Sequence, residues 1–136
     1  MLKKTILFLC THNSARSQIA EGLINKFFSE NYTAYSAGTE PGKVNPFAIE
    51  AMKEIGADIS SHNSKSVDEF NGVNFNYVVT VCDGAKESCP TFPNADELIH
   101  KSFKDPSAYK GTDDDKLKCF RNTTKEIKTW LTSYFS

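Results

Sequence analysis

The sequence predicts an α/β fold, a single three-layer domain over residues 1–136 with a four-stranded parallel sheet in the order 2-1-3-4 flanked by helices. Three observations carry this. Strand-like and helix-like segments alternate along the chain, which is the pattern of a parallel sheet with helical crossovers. Two of the strand-like segments, KTILFLC at 4–10 and FNYVVTVC at 75–82, are continuous apolar runs, as strands covered on both faces should be. The 136 residues, 39% of them hydrophobic and 24% charged, suffice for one core and leave no room for a second. Right-handed crossovers on so short a chain leave few strand orders, and 2-1-3-4 is the first choice among them.

The elements follow in order. Residues 4–10 make the first, central strand. Ser17 to Phe28 reads as a helix: Ile19, Leu23 and Phe27 recur at i, i+4 and i+8 with Ala20, Ile24 and Phe28 beside them, a wide apolar stripe. Thr33 to Ser36 is a short second strand closed by Ala37 and Gly38. Asn45-Pro46 is a helix start, a capping side chain followed by a residue that needs no N–H partner. Phe47, Ala51 and Ile55 are its inner face and Gly56 its end. Phe75 to Cys82 is the third strand, Leu98 to Phe103 the fourth. The last helix runs from about Asp113 to Tyr134, with Leu117, Phe120, Ile127, Leu131 and Tyr134 in helical spacing.

Composition removes several functions. Sixteen basic against seventeen acidic residues give a net charge of −1, too little for a sequence-blind grip on nucleic acid or an anionic membrane. No run approaches the roughly twenty apolar residues of a membrane-spanning helix. The start, Met1 to Cys10, has too short an apolar core for a signal peptide and no cleavage pattern after it. A cytoplasmic monomer is the expectation. Cys10, Cys82, Cys89 and Cys119 contain no CxxC pair, so neither a disulfide scaffold nor a metal site is expected.

Cys10-Thr11-His12-Asn13-Ser14-Ala15-Arg16-Ser17 is the most informative stretch. A cysteine, five residues, an arginine and a hydroxyl lie between a buried strand and a helix. Such a loop wraps the N–H groups of Thr11, His12, Asn13, Ser14, Ala15 and Arg16 around one point at the positive end of the helix, a nest for a tetrahedral oxyanion. Arg16 adds a planar fork for two oxygens. The same surroundings suit Cys10 as a thiolate nucleophile, with Ser17 placed to donate to its sulfur. His12 serves the loop through its backbone, and Asn13 pins the turn. In the proposed sheet, the first and third strands are neighbours about 4.8 Å apart. That brings Cys82 within disulfide reach of Cys10. A strand-end cysteine alone is more often inert. Here a second thiol, Cys89, follows Cys82 after six residues, and the pair reads as a redox relay. Cys119 beside the apolar seam of the last helix reads as packing, and His62 and His100 have no partners visible in the sequence.

The loop resembles that of the low-molecular-weight tyrosine phosphatases. Together with SAGT at 36–39, VTVCDGAKESCP at 79–90 and Asp105-Pro106, the chain is similar to the thioredoxin-coupled arsenate reductases that share that fold. The likeness spans the whole domain. It implies that Cys10 attacks arsenate, that Asp105 assists departure of water or hydroxide, and that Cys82 and then Cys89 resolve the oxidised sulfur. It further implies that thioredoxin supplies the electrons without a bound cofactor. As a tyrosine phosphatase, the alternative, the chain would use Cys10, Arg16 and Asp105 alone. That family commonly has an aromatic residue after Asp-Pro, and Ser107 stands here, with Tyr109 two positions later. Some reductases hold potassium with ligands matching Asn13, Glu21, Ser36 and a carboxylate at position 65. Lys65 takes the fourth place in this chain, and its ammonium paired with Glu21 is expected to replace the cation.

Overall fold

The computed structural model describes residues 3–82 and 92–135. Its sheet comprises β1 (Lys4–Cys10), β2 (Tyr32–Gly38), β3 (Phe75–Thr80) and β4 (Ala95–His100), all parallel, in the order β2-β1-β3-β4. This is the expected order. The central pair is the most apolar: Ile6, Leu7, Phe8 and Leu9 of β1 and Val78 and Val79 of β3 are fully buried.

Among the described residues three α-helices, α1 (Arg16–Phe27), α2 (Pro46–Glu54) and α3 (Asp113–Phe135), pack against one another over one face. Ile6 and Phe8 of β1 meet Ile19, Leu23 and Ile24 of α1, Ala48, Ala51 and Met52 of α2 and Phe120, Ile127 and Leu131 of α3 there. Leu7, Leu9 and Val78 point to the opposite face. Among the described residues Phe92 and the 3-10 turn Val67–Phe70 cover it.

Helix ends follow the local chemistry. Asn45 caps α2, its Oδ1 accepting from Phe47 N–H at 2.8 Å, and Pro46 occupies the first turn. Gly56 follows at φ 82°, a left-handed conformation that a side chain would strain. The buried face of α2 is Ala48, Ala51 and Met52 rather than the expected Phe47, Ala51 and Ile55. Ile55 is exposed because the helix has ended before it, and Phe47 is half-buried against Phe120. Phe27 likewise leaves the stripe of α1 at its last turn, where the Lys128 ammonium lies 4.1 Å from its ring centre. On α3 the buried row ends with Phe135 and not Tyr134.

Three strands differ in extent from the sequence reading, β2 by starting at Tyr32 and continuing through Ala37 and Gly38. β4 begins at Ala95, not Leu98, because Asp96 and Glu97 belong to an exposed edge strand that needs no apolar run. The chain from 101 to 103 leaves the strand but still pairs loosely, Lys101 N–H donating to Thr80 O and Phe103 N–H to Val81 O. β3 ends at Thr80. Val81 N–H still reaches Leu9 O at 2.9 Å, and Cys82 lies just beyond, in a bend.

Candidate active site

Residues 11–15 join β1 to α1, and their carbonyls all find donors. Thr11 O accepts from Glu40 N–H at 2.8 Å, His12 O from Ser64 Oγ at 2.8 Å, Ser14 O from Asn45 N–H at 2.8 Å, and Ala15 O from Ile19 N–H at 2.8 Å. Asn13 O accepts from Gln18 Nε2 at 3.2 Å. The C=O and N–H of a trans peptide point to opposite sides. Carbonyls held outward therefore turn the loop's amides inward, and Asn13 N–H does face Cys10 Sγ at 3.2 Å. The result is a concave row of donors at the start of a helix, able to hold an anion.

The turn closes because Asn13 adopts φ 50°, which asparagine tolerates better than most residues. Its buried side chain makes three hydrogen bonds. Oδ1 accepts from Lys65 N–H at 2.8 Å and Gln18 Nε2 at 2.9 Å, while Nδ2 donates to Ser17 Oγ at 2.8 Å. A backbone N–H can only donate, so Lys65 fixes which end of the amide is oxygen. Since Ser17 Oγ accepts from Asn13, its own hydrogen is free for Cys10 Sγ, 2.9 Å away. Asn13 N–H and the Ser17 hydroxyl thus meet at one buried sulfur, and both donate to it when Cys10 is a thiolate.

Arg16 begins α1 and is only 4% exposed. Its Nη1 donates to Phe103 O at 3.1 Å, and its Nη2 lies 3.7 Å from Asp105 Oδ2. Asp105 caps the 3-10 turn Pro106–Ala108, its Oδ1 accepting from Ser107 N–H at 2.9 Å and Ser107 Oγ at 2.6 Å. The guanidinium therefore brings the segment 103–105, remote in sequence, to the loop. Cys10, Arg16, Ser17 and Asp105 come together, as do Thr11, His12, Asn13, Ser14 and Ala15 in the loop.

Cys82 is fully buried and belongs to the same core cluster as Cys10. It is disulfide-bonded, whereas Cys10 and Cys119 are free. Cys89, the expected second resolving thiol, lies outside the described residues. Cys119 is half-buried on α3.

Beneath the loop, Glu21 Oε1 accepts from Ser36 Oγ at 2.7 Å and stands 3.8 Å from Lys65 Nζ. The residues matched to a potassium site by resemblance are thus gathered, with the ammonium among them. His62, which shows no partner in the sequence, has two: Nδ1 donates to Gln18 Oε1 at 2.9 Å and lies 3.1 Å from Glu21 Oε2. His100 Nδ1 meets Thr80 Oγ1 at 2.7 Å.

Three residues of the site escape the sequence reading. Gln18 and His62 do so because each finds its partner 44 positions away. Gly38 pairs with Cys10 in the register of β2 against β1. A Cβ there would lie 2.5 Å from Thr11 O and 2.9 Å from Asn13 N, so the loop packs on bare backbone. Its signal was its position at the end of the neighbouring strand.

Over residues 5–136 the chain matches the family model for low molecular weight phosphotyrosine protein phosphatase. It is 46% identical over 127 residues to an arsenate reductase of Halalkalibacterium halodurans, covering 93% of this chain and 91% of the relative. It is 42% identical over 136 residues to an arsenate reductase of Staphylococcus aureus, covering 100% and 99%. A solved structure described as an arsenate reductase in the reduced state superposes with a TM-score of 0.77 at 27% identity, covering 96% of this chain and 95% of that one.

Proposed function

This chain belongs to the low molecular weight phosphotyrosine protein phosphatase family, and we propose that it is an arsenate reductase of the cytoplasm, working through three of its own thiols. The oxyanion lies in the loop of residues 11–16, its oxygens on the inward amides and on Arg16. Cys10 attacks arsenic as a thiolate, and one arsenic oxygen leaves as water with a proton delivered from the Asp105 side. Cys82 then attacks the Cys10 sulfur. The sulfur–arsenic bond breaks with its electron pair going to arsenic, arsenite departs, and a Cys10–Cys82 disulfide remains. Attack by Cys89 on Cys82 frees Cys10 and moves the disulfide to the pair 82 and 89. Reduced thioredoxin takes up that disulfide, and no resident cofactor or metal enters the scheme.

One observation carries this reading over simple phosphate ester hydrolysis: Cys82 is in a disulfide while Cys10 is free, and both belong to one buried cluster. Hydrolysis needs Cys10, Arg16 and Asp105 and has no use for a second thiol. The test is turnover. Purified protein with thioredoxin, thioredoxin reductase and NADPH is expected to consume NADPH when arsenate is added and not before. Absence of arsenate-dependent consumption, with steady hydrolysis of an aryl phosphate, would establish the phosphatase reading instead.

A further inference from the structure

We propose that the His12 imidazole is a positioning residue that aims its own backbone amide into the oxyanion loop, acting through Glu40. The inference rests on the reading of that loop as an oxyanion cradle. Glu40 touches two consecutive loop residues with its two backbone groups. Its N–H donates to Thr11 O at 2.8 Å, and its carbonyl faces His12 Nδ1 at 3.0 Å. A carbonyl only accepts, so Nδ1 carries the hydrogen. The segment is also held where Gly42 N–H meets Ser64 Oγ at 3.0 Å, that hydroxyl donating in turn to His12 O.

The consequence follows from one peptide plane. The Thr11 carbonyl and the His12 N–H belong to the same peptide and point to opposite sides. Glu40 N–H holds the carbonyl outward and so holds the His12 amide toward the cradle. Glu40 itself lies on an exposed stretch, residues 39–43, with no burial to keep it in place. The imidazole supplies what burial does not: a second bond, from the next residue along, that keeps the Glu40 backbone against the loop. Without it the Thr11–His12 peptide has lost part of its brace, and an inward donor is less often correctly aimed.

The experiment compares His12→Ala with His12→Asn, since the asparagine amide nitrogen sits near the place of Nδ1 and can donate to the same carbonyl. Inorganic phosphate is the probe, titrated calorimetrically into reduced protein. The alanine variant is expected to bind phosphate about tenfold more weakly, the scale of one lost hydrogen bond. The asparagine variant should recover most of that loss. Hydrogen exchange at the Glu40 amide should quicken in the alanine variant and not in the asparagine variant, and in turnover the alanine change should raise the KM for arsenate more than it lowers kcat. Equal phosphate affinity in all three proteins, or equal loss in both variants, overturns the clasp while leaving the cradle standing. A parent protein that binds no phosphate overturns the cradle and the clasp with it.

Discussion

Gly38 shows how much of the site depends on an atom that is missing. The Cβ of an alanine would come within 2.5 Å of Thr11 O and 3.0 Å of Cys10 O, both backbone atoms that cannot swing aside. Gly38→Ala should therefore push the oxyanion loop off β2, costing about 1–3 kcal/mol of stability. Phosphate affinity should fall with it, and thermal melts with a phosphate titration check both. An alanine variant equal to the parent in both would mean that the loop is not seated on this strand. Lys65 carries a different expectation. Its Nζ is 3.8 Å from Glu21 Oε1 and donates to Asn63 O at 2.8 Å, so a cation already stands by the buried carboxylate. Replacing sodium by potassium at constant ionic strength should leave the melting temperature and the KM for arsenate unchanged. Lys65→Asp should make both potassium-sensitive, because two carboxylates then face one another across the space of the ammonium. Potassium dependence in the parent would refute the substitution.

At the scale of elements, the tie between α2 and the long α3 gives a pH-dependent expectation. Arg121 grips Glu54 with two bonds of 2.7 Å, Nε to Oε1 and Nη2 to Oε2. This hydrogen bonding, with the attraction of the guanidinium, lowers the Glu54 carboxyl below its ordinary value in the folded protein. A carboxyl lowered on folding stabilises the fold above its unfolded value, and the contribution disappears as pH falls through the lower, folded one. Arg121→Met should thus melt slightly below the parent at pH 7, with the gap narrowing at acid pH. The effect stays small because both side chains are partly solvated. An equal gap at both pH values would assign the loss to packing.

Elements were legible in the sequence where burial writes a pattern and illegible where it does not. The apolar runs of β1 and β3 and the Asn45-Pro46 start of α2 announce themselves. β4 does not, because Ala95, Asp96 and Glu97 form an edge open to water. Helix faces failed at their ends: Phe27 and Ile55 pass the end of the surface they would cover, and Tyr134 turns outward while Phe135 beside it is buried. The loop of residues 10–17 was readable as local chemistry. Gln18, His62 and Gly38 were not, since their roles arise from contacts between segments that only the folded chain brings together.

At the scale of the whole molecule the proposed function divides its labour between two neighbouring strands, and that division can be tested by separating the halves. In the proposed scheme the loop after β1 binds the oxyanion and attacks it, through Cys10, the amides and Arg16, with Asp105 across the sheet end. The chain just past β3 holds the sulfur that has no use in hydrolysis. Strand order makes the two adjacent, since β1 and β3 are partnered from Ile6 and Tyr77 onward. Cys10→Ser should remove both arsenate turnover and aryl phosphate hydrolysis, because each begins with the same attack. Cys82→Ser should lower arsenate turnover by ~10³-fold or more, since no thiol then displaces arsenic from Cys10. It should leave slow hydrolysis of para-nitrophenyl phosphate near the parent rate, where water performs the second step. Cys89→Ser should halt the cycle after one turnover, with one arsenite released per protein and Cys10 oxidised; a rapid-quench count of arsenite distinguishes that burst from the silence of Cys82→Ser. Both resolving variants reducing arsenate at the parent rate would mean that the sulfur past β3 takes no part and that the electrons travel another way. Loss of hydrolysis in Cys82→Ser would instead show that this buried thiol is needed to shape the loop, and the two strands would then form one indivisible site.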